Sequence, residues 1–190
     1  NAADVTLEKY FGSSGYVALQ LFYKDLKSYI YNQAVPFDFS SYPVAEAGND
    51  ANGLPIIVNY MGTANVPING EGGKIYGAEF AGTLPFSTFT AALDGFGVTG
   101  GVSYTKTKIK EPNGNVSVIP GYSKWVANGT LFYEAGGFNA RGSVRHRSKF
   151  LGDFVSFNGQ PDRRFAVPET VVDAQVGYDF KSGALEGLSL

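Results

Sequence analysis

Hydrophobic and polar residues alternate strictly along most of this chain. In residues 96–108, the even positions include Phe96, Val98, Val102 and Tyr104, whereas the odd positions are only glycine, serine and threonine. A period of two is typical of β-strands whose two faces meet different surroundings. The same alternation predicts strands over residues 4–11, 16–32, 73–84, 96–108, 124–135, 138–150 and 170–180.

One predicted strand departs from the pattern. In residues 16–32, Val17 and Leu19 share one parity with Leu21, but Asp25 and Lys27 then fall on it. We expect either a bulge near these two charges or a strand that leaves its apolar surroundings there.

The connections between predicted strands are alternately short and long. Gly136 and Gly137 alone join one pair, whereas the connection from Ser40 to Gly72 is many times longer. Short turns at one end and long loops at the other are typical of outer-membrane barrels, and a Greek-key sandwich has no reason to keep this alternation. The predicted fold is therefore all-β: an antiparallel up-and-down transmembrane β-barrel, here a partial barrel of about seven to eight strands.

The glycine pair also predicts a register. Two-residue hairpin turns need positive φ, which glycine adopts without strain. A turn at these glycines places Ala135 opposite Phe138 and Tyr133 opposite Ala140. Large residues then meet small ones on the apolar face, and both alternating patterns survive.

The apolar face is predicted to contact lipid, and the polar face to line a lumen. Aromatic residues near both ends of the strands fit two interfacial girdles. A soluble sandwich with a solvent-exposed polar face is the alternative. The predicted lipid-facing residues are Phe96, Val98, Val102, Tyr104, Trp125, Leu131, Tyr133, Val144, Val172, Val176 and Tyr178.

Composition narrows the function. The chain has 25 glycines, no cysteine, one histidine and a net charge of -2. Disulfides and thiolate metal sites are excluded, and there is no broad basic field for nucleic acid. No apolar stretch is long enough for a transmembrane helix.

Motifs for catalysis and cofactor binding are not supported by their surroundings. Residues 95–100 match the G-x-G-x-x-G pattern of dinucleotide-binding proteins, but a predicted strand follows them where that motif requires a helix. His146 has no evident acid to orient it for nucleophilic catalysis. A single histidine without cysteine does not provide the ligands of a zinc site. We therefore expect no enzyme, no cofactor and no metal site.

Two groups of residues are candidates for ligand binding. The long loop is too long for a simple connector, and such loops commonly bind ligands. The second group consists of arginines. They could attract an anionic ligand, or they could pair with carboxylates on neighbouring strands, namely Glu79, Glu134, Asp173 and Asp179. The candidates are Tyr42, Asn49, Asp50, Asn59 and Tyr60 in the loop, with Arg145, Arg147, Arg163 and Arg164.

Several motifs resemble one family when taken in order. They are the segments LEKYF at 7–11, GY at 15–16, LFYKDLKSYI at 21–30, GAEF at 77–80, TVVDAQVGY at 170–178 and LEGLSL at 185–190. These segments resemble strands of TonB-dependent outer-membrane receptors, over essentially the whole chain.

The resemblance implies a plugged barrel of roughly 22 strands. It implies uptake of a siderophore, cobalamin or oligosaccharide across the outer membrane of a Gram-negative bacterium. The implied partners are the TonB–ExbB–ExbD complex, reached through an N-terminal part, outer-membrane lipid and lipopolysaccharide, and the nutrient itself. Residues 1–190 would be a fragment of one barrel domain, without the plug, the TonB box or the final strands. A passive porin and a soluble carbohydrate-binding module are the alternatives.

Overall fold

Antiparallel strands make up most of the structure, a computed structural model that describes residues 1–12, 14–42, 48–110, 114–155 and 161–190. The described residues contain no α-helix, and none of their helical turns is long and apolar enough to cross a membrane. Two short 3-10 turns lie at Phe86–Thr88 and Ala91–Leu93. The strands are β1 (Ala2–Phe11), β2 (Gly15–Leu26), β3 (Tyr29–Asp38), β4 (Met61–Gly70), β5 (Gly73–Pro85), β6 (Phe96–Lys110), β7 (Val116–Ser117), β8 (Trp125–Ala135), β9 (Phe138–Arg147), β10 (Phe150–Val155), β11 (Pro161–Ala166) and β12 (Glu169–Tyr178).

Seven long strands form one sheet in the order β1-β2-β5-β6-β8-β9-β12, with β7 attached to β6. Every neighbouring pair is antiparallel. Strands that follow one another along the chain are therefore neighbours in space, apart from two inserted hairpins. The predicted partial barrel with up-and-down topology is confirmed.

The two inserted hairpins continue hairpins of the main sheet. Leu26 pairs with Gly73 in the sheet, and three residues farther along each strand Tyr29 pairs with Gly70 in the β3–β4 hairpin. Because the same number of residues lies on both sides, no residue is inserted and the predicted bulge is wrong. The strand is instead interrupted between β2 and β3 and then resumes in register.

The β10–β11 hairpin follows β9 and β12 in the same way. Arg147 pairs with Glu169 in the sheet, and Phe150 pairs with Ala166 three residues farther along each strand. We call the β3–β4 and β10–β11 hairpins the extensions. The connection from Ser40 to Gly72 is thus partly strand, because β4 occupies Met61–Gly70, and residues 43–47 within it lie outside the described residues.

The two-glycine turn has the predicted geometry. Gly136 has φ 60 and Gly137 has φ 92, the left-handed region that a primed hairpin turn requires. Ala135 pairs with Phe138, and Tyr133 pairs with Ala140. The predicted register is confirmed, and it fixes which side chains of β8 and β9 share a face.

The described chain has no fully buried side chain. Its only buried hydrophobic residues among those described are Ile109, Ile119 and Leu151, all toward the long-loop end of the sheet. Thr107 and Ser123 are buried with them, and the Thr107 hydroxyl accepts a hydrogen bond of 3.0 Å from the Ile119 N–H. The sheet itself therefore encloses no dry core, unlike a soluble sandwich.

Candidate ligand-binding face and rim

All eleven predicted lipid-facing side chains lie on one face of the sheet, which we call the apolar face. Directly paired residues share a face, and the pairs Val98–Leu131, Tyr104–Trp125 and Val144–Val172 link β6 to β8 and β9 to β12. Val172 remains 75% exposed. The set is Phe96, Val98, Val102, Tyr104, Trp125, Leu131, Tyr133, Val144, Val172, Val176 and Tyr178. That this face contacts lipid stays a prediction.

Aromatic rings cluster at both ends of the apolar face. At the short-turn end, the ring centroids of Phe96 and Tyr133 lie 4.3 Å apart. At the long-loop end, those of Tyr104 and Trp125 lie 4.7 Å apart. Aromatic rings at two levels are what an apolar band flanked by two interfaces requires.

The opposite face, which we call the polar face, carries a row of hydroxyl groups. Thr83, Thr99, Thr130 and Ser143 are successive partners across β5, β6, β8 and β9. The oxygen atoms of Thr83 and Thr99 lie 2.8 Å apart, and those of Thr130 and Ser143 lie 2.9 Å apart. Hydroxyl groups can both donate and accept, so this row can hydrogen-bond to water or to a polar solute.

Charged side chains flank this row and line an open cleft of ≈ 610 Å³ on the polar face. The Arg145 guanidinium lies 3.2 Å from the Asp173 carboxylate, and the Ser103 hydroxyl donates to Glu79 at 3.2 Å. Both partners of the Arg145 ion pair are more than half exposed. Exposed pairs of this kind contribute little to stability, so Arg145 can exchange its partner for a ligand at small cost.

Arg147 lies in a different environment on the same strand. Its Nε donates to the Ser123 hydroxyl at 2.7 Å, and its Nη2 donates to the Gly121 carbonyl at 2.7 Å. The guanidinium carbon lies 3.9 Å from the centroid of the Phe150 ring. Arg147 thereby fixes the loop between β6 and β8 against β9 and β10, a positioning role that the sequence did not reveal.

The remaining predicted arginines lie on β11. The Arg164 Nε donates to the Asp162 carboxylate at 2.7 Å, and the same two side chains form an ion pair. Arg163 is exposed and pairs in register with Asp153. Both arginines therefore stand on an extension beyond the main sheet, where they can contribute to a rim.

The predicted loop residues lie beyond β3 and before β4. The Tyr42 ring packs near Phe37 and Phe39, with centroids 6.1 and 5.7 Å away. The Asn59 side chain accepts from the Met61 N–H at 3.0 Å, and the Tyr60 carbonyl accepts from the Phe39 N–H at 2.9 Å. These contacts close the base of the loop and leave Tyr42 largely exposed.

Asp50 closes a turn near the tip of this loop, next to the bridge between Asn49 and Pro55. Its carboxylate accepts hydrogen bonds of 2.9 Å from the N–H groups of Leu54 and Asn52. These two bonds hold the pKa of the Asp50 carboxyl below its ordinary value. The carboxylate is thus already satisfied within the loop.

The predicted ligand-binding residues do not converge on a single point. In the described ranges, no hydrogen bond or ion pair joins Asn49, Asp50 or Asn59 to Arg145 or Arg147. The arrangement is a polar face with a rim of extensions rather than a closed pocket. The sequence analysis looked for charged residues and therefore missed the hydroxyl row. The pairing of strands brings its three threonines and one serine side by side. Their position on the polar parity of each strand was the signal available in the sequence.

Comparison with known proteins assigns the sheet to a family. The family model described as "TonB dependent receptor-like, beta-barrel" matches residues 1–190. No curated protein matches the sequence.

Two solved structures share the fold. A mutant of the ferric enterobactin receptor PfeA from Pseudomonas aeruginosa is 18% identical, with a TM-score of 0.53 over 93% of this chain and 23% of that one. The siderophore receptor PirA from Acinetobacter baumannii is 14% identical, with a TM-score of 0.52 over 94% of this chain and 26% of that one. The chain spans about a quarter of each receptor's length. It belongs to the TonB-dependent receptor family, whose members are outer-membrane receptors and transporters of Gram-negative bacteria rather than enzymes.

Proposed function

We propose that this chain is part of an active transporter in the outer membrane of a Gram-negative bacterium. The observation that carries the proposal is the amphipathic sheet, with a continuous exposed apolar face, a hydroxyl-rich polar face and extensions at one end only. An apolar face that large would invite aggregation in water. In a bilayer it is satisfied by acyl chains, and the polar face then lines a hydrated lumen.

The proposal includes further strands from the same protein. Among the described strands, β1 pairs only with β2, so its outer edge is open. At the other side of the sheet, Tyr178 exchanges hydrogen bonds of 3.1 and 3.0 Å with Leu190, which begins another antiparallel pair. Open strand edges are not viable in lipid. Residues 1–190 are thus proposed to be one section of a larger closed barrel.

The proposed cargo is a ferric siderophore. Both solved receptors of the same fold are receptors of this class by name. The cationic side chains Arg145, Arg163 and Arg164 suit a ligand with negative charge, and Arg145 holds only an exposed ion pair. Tyr42 offers an exposed ring at the loop, where a planar ligand group can stack.

Energy coupling completes the proposal. The TonB–ExbB–ExbD complex would act on an N-terminal part of the full protein, and a plug would control passage past the polar face.

Two alternative functions agree less well with the observations. A soluble carbohydrate-binding module leaves the exposed apolar face unexplained. A passive porin does not agree with membership of a receptor family.

The first experiment locates the full-length protein that contains this chain. Membrane fractionation followed by gel electrophoresis with and without heating in SDS should show an outer-membrane protein whose mobility shifts on heating. A soluble protein without a shift would contradict the proposal.

The second experiment tests cargo and energy. Uptake of a radiolabelled ferric siderophore into iron-starved cells should depend on the receptor and on TonB. Arg145→Gln should reduce binding of an anionic ferric chelate and leave binding of a neutral one unchanged. Uptake that continues without TonB would favour the passive porin, and equal losses for both chelates would count against Arg145 as a ligand contact.

A further inference from the structure

The polar face is covered at the long-loop end of β6. Ile109 holds the same parity as Ser103, Thr105 and Thr107, so all four side chains belong to the polar face. Ser103 and Thr105 are partly exposed, whereas Thr107 and Ile109 are only 5% and 3% exposed. Something therefore packs over the polar face at the level of the last two residues.

The cover comes from the segment that precedes β8. Ile119 is buried, and its N–H donates to the Thr107 hydroxyl at 3.0 Å. A ladder bond would join backbone to backbone, but this bond ends on a side chain of the polar face. Ile119 therefore lies on the polar side of the sheet. We call residues 119–123 the ledge.

The ledge is anchored on its other side to β9 and β10. The Gly121 N–H donates to the Leu151 carbonyl at 2.7 Å. Arg147, on the polar face of β9, donates to the Gly121 carbonyl and to the buried Ser123 hydroxyl. In the sheet, β8 lies between β6 and β9, and it begins only at Trp125. The ledge thus bridges the gap between β6 and β10 beyond the start of β8.

The backbone of the ledge is restricted as well. Pro120 and Gly121 occupy the central positions of a turn, and Gly121 has φ 85. Proline followed by a residue with positive φ is typical of a type II turn, and the proline ring fixes its own φ. Opening the ledge would expose Ile119 and break the anchors on both sides together. Segments held by buried contacts and protected hydrogen bonds open rarely, so the ledge is a fixed structure.

The ledge stands between the extensions and the cleft that Arg145 lines. Arg145 lies two residues from Arg147 toward the short-turn end of β9, which is ~7 Å at a rise of about 3.4 Å per residue. The β10–β11 extension begins on the other side of Arg147, at Phe150. A solute that moves along β9 from the extension to this cleft therefore passes the ledge.

We infer that the ledge is a fixed size filter in the mouth of the lumen, which limits the bulk of the ferric chelate that can reach Arg145. The inference rests on the proposed function, because it requires the polar face to line the lumen of a transporter. A mobile lid closes after the cargo has entered. A fixed ledge excludes bulky cargo beforehand, and its buried residues stay buried with and without cargo.

Cysteine labelling tests whether the ledge is fixed. The chain has no cysteine, so single cysteines can be placed in the full-length receptor after removal of any cysteine elsewhere. Val118→Cys is the matched control, because Val118 is the exposed neighbour of Ile119. Ile119→Cys should react with a maleimide about tenfold more slowly than the control, because a buried thiol is inert. A saturating ferric tris-catecholate should leave the slow rate unchanged.

Binding of two ferric chelates tests the size limit. One is a compact ferric tris-catecholate, and the other is the same chelate with a bulky polyether group attached, so their charges are equal. The wild-type receptor should bind the compact chelate more tightly. Ile119→Ala removes the apolar anchor of the ledge and should reduce this preference by about fivefold. Val118→Ala should keep the preference within about twofold of wild type.

Labelling of Ile119→Cys as fast as the control, or labelling that accelerates when the chelate binds, would overturn the fixed ledge. Equal binding of both chelates by wild type, or an unchanged preference in Ile119→Ala, would overturn the size filter. If an Ile119 variant fails to fold, Ser123→Cys and Ser123→Ala replace it at another buried position of the ledge. The labelling needs no cargo, so a receptor that labels as expected but binds neither chelate would contradict only the proposed cargo.

Discussion

The main sheet and its two extensions are built from the same kind of strand under different constraints. In the sheet, every inner strand pairs on both edges and separates an apolar face from a polar one. In the extensions, each strand has one partner, and Pro36 and Pro67 both lie within paired segments. Proline lacks the N–H that a second partner would need, so it is tolerated on such edges and disfavoured in the interior of central strands.

The difference shows where the stability of the extensions comes from. An isolated two-stranded hairpin is at best marginally stable in water. The extensions inherit their register from the sheet and are supported by local contacts. Around β3, these are the rings of Phe37, Phe39 and Tyr42, and near β10 they are the Arg147 contacts. Substitutions that change side-chain polarity or volume should therefore lower the stability of the sheet. At the long-loop end, the loss of a single polar contact should lower local stability.

The largest effect should come from placing a charge on the apolar face. Val102→Lys should destabilise the full barrel by about 2 kcal/mol in lipid, because an ammonium group then faces acyl chains. Ser103→Lys should cost far less, because this side chain lies on the polar face beside Glu79. Denaturant unfolding in vesicles measures both variants. Equal losses would break the distinction between the two faces.

The second-largest effect should come from adding a methyl group at a crowded glycine in the sheet. A Cβ on Gly77 would lie 2.0 Å from the Tyr104 carbonyl oxygen and 2.7 Å from the Phe22 ring, so Gly77→Ala should cost about 1–2 kcal/mol. Gly129→Ala is the control, since a Cβ there meets nothing within 4 Å. The two melting temperatures should separate clearly. A Gly77→Ala barrel as stable as the Gly129→Ala barrel would show that the sheet yields more easily than its packing indicates.

At the long-loop end, Arg147→Lys should release the segment from Ile119 to Ser123. Lysine cannot make the forked contact with Ser123 and Gly121 while lying on the Phe150 ring. We expect a loss of local stability of about 1 kcal/mol, seen as faster amide exchange in this segment. Arg145→Lys should leave the exchange unchanged, because it retains an exposed ion pair with Asp173. Faster exchange in both variants would point to a general effect of β9.

The smallest effect should be a pH response of the loop tip. The pKa of the Asp50 carboxyl is lowered by its bonds to Leu54 and Asn52, so the turn gains stability above the ordinary pKa. That stabilisation should disappear as the pH falls through the lowered pKa. The amide resonance of Leu54 should shift in this acidic range, whereas in Asp50→Asn it should stay constant. A pH-independent Leu54 signal in the wild-type protein would contradict the closed turn.

Much of the sheet could be predicted because its chemistry is periodic. Alternation identified the seven long strands, and Gly136 with Gly137 specified the β8–β9 register. The extensions could not be predicted in the same way. Residues Met61–Gly70 contain proline, glycine and asparagine, which weaken any strand pattern. They form β4 because the pairing of β2 with β5 continues in register into β3 and β4.

The candidate site divides along similar lines. By itself, the sequence determined which residues are cationic and which parity they hold, because a strand alternates its side chains whatever its neighbours are. Only the tertiary structure decided that Arg145 forms an ion pair with Asp173 and that Arg147 holds the loop before β8. The physical reason is that these contacts depend on register between strands far apart in sequence, which local periodicity does not encode.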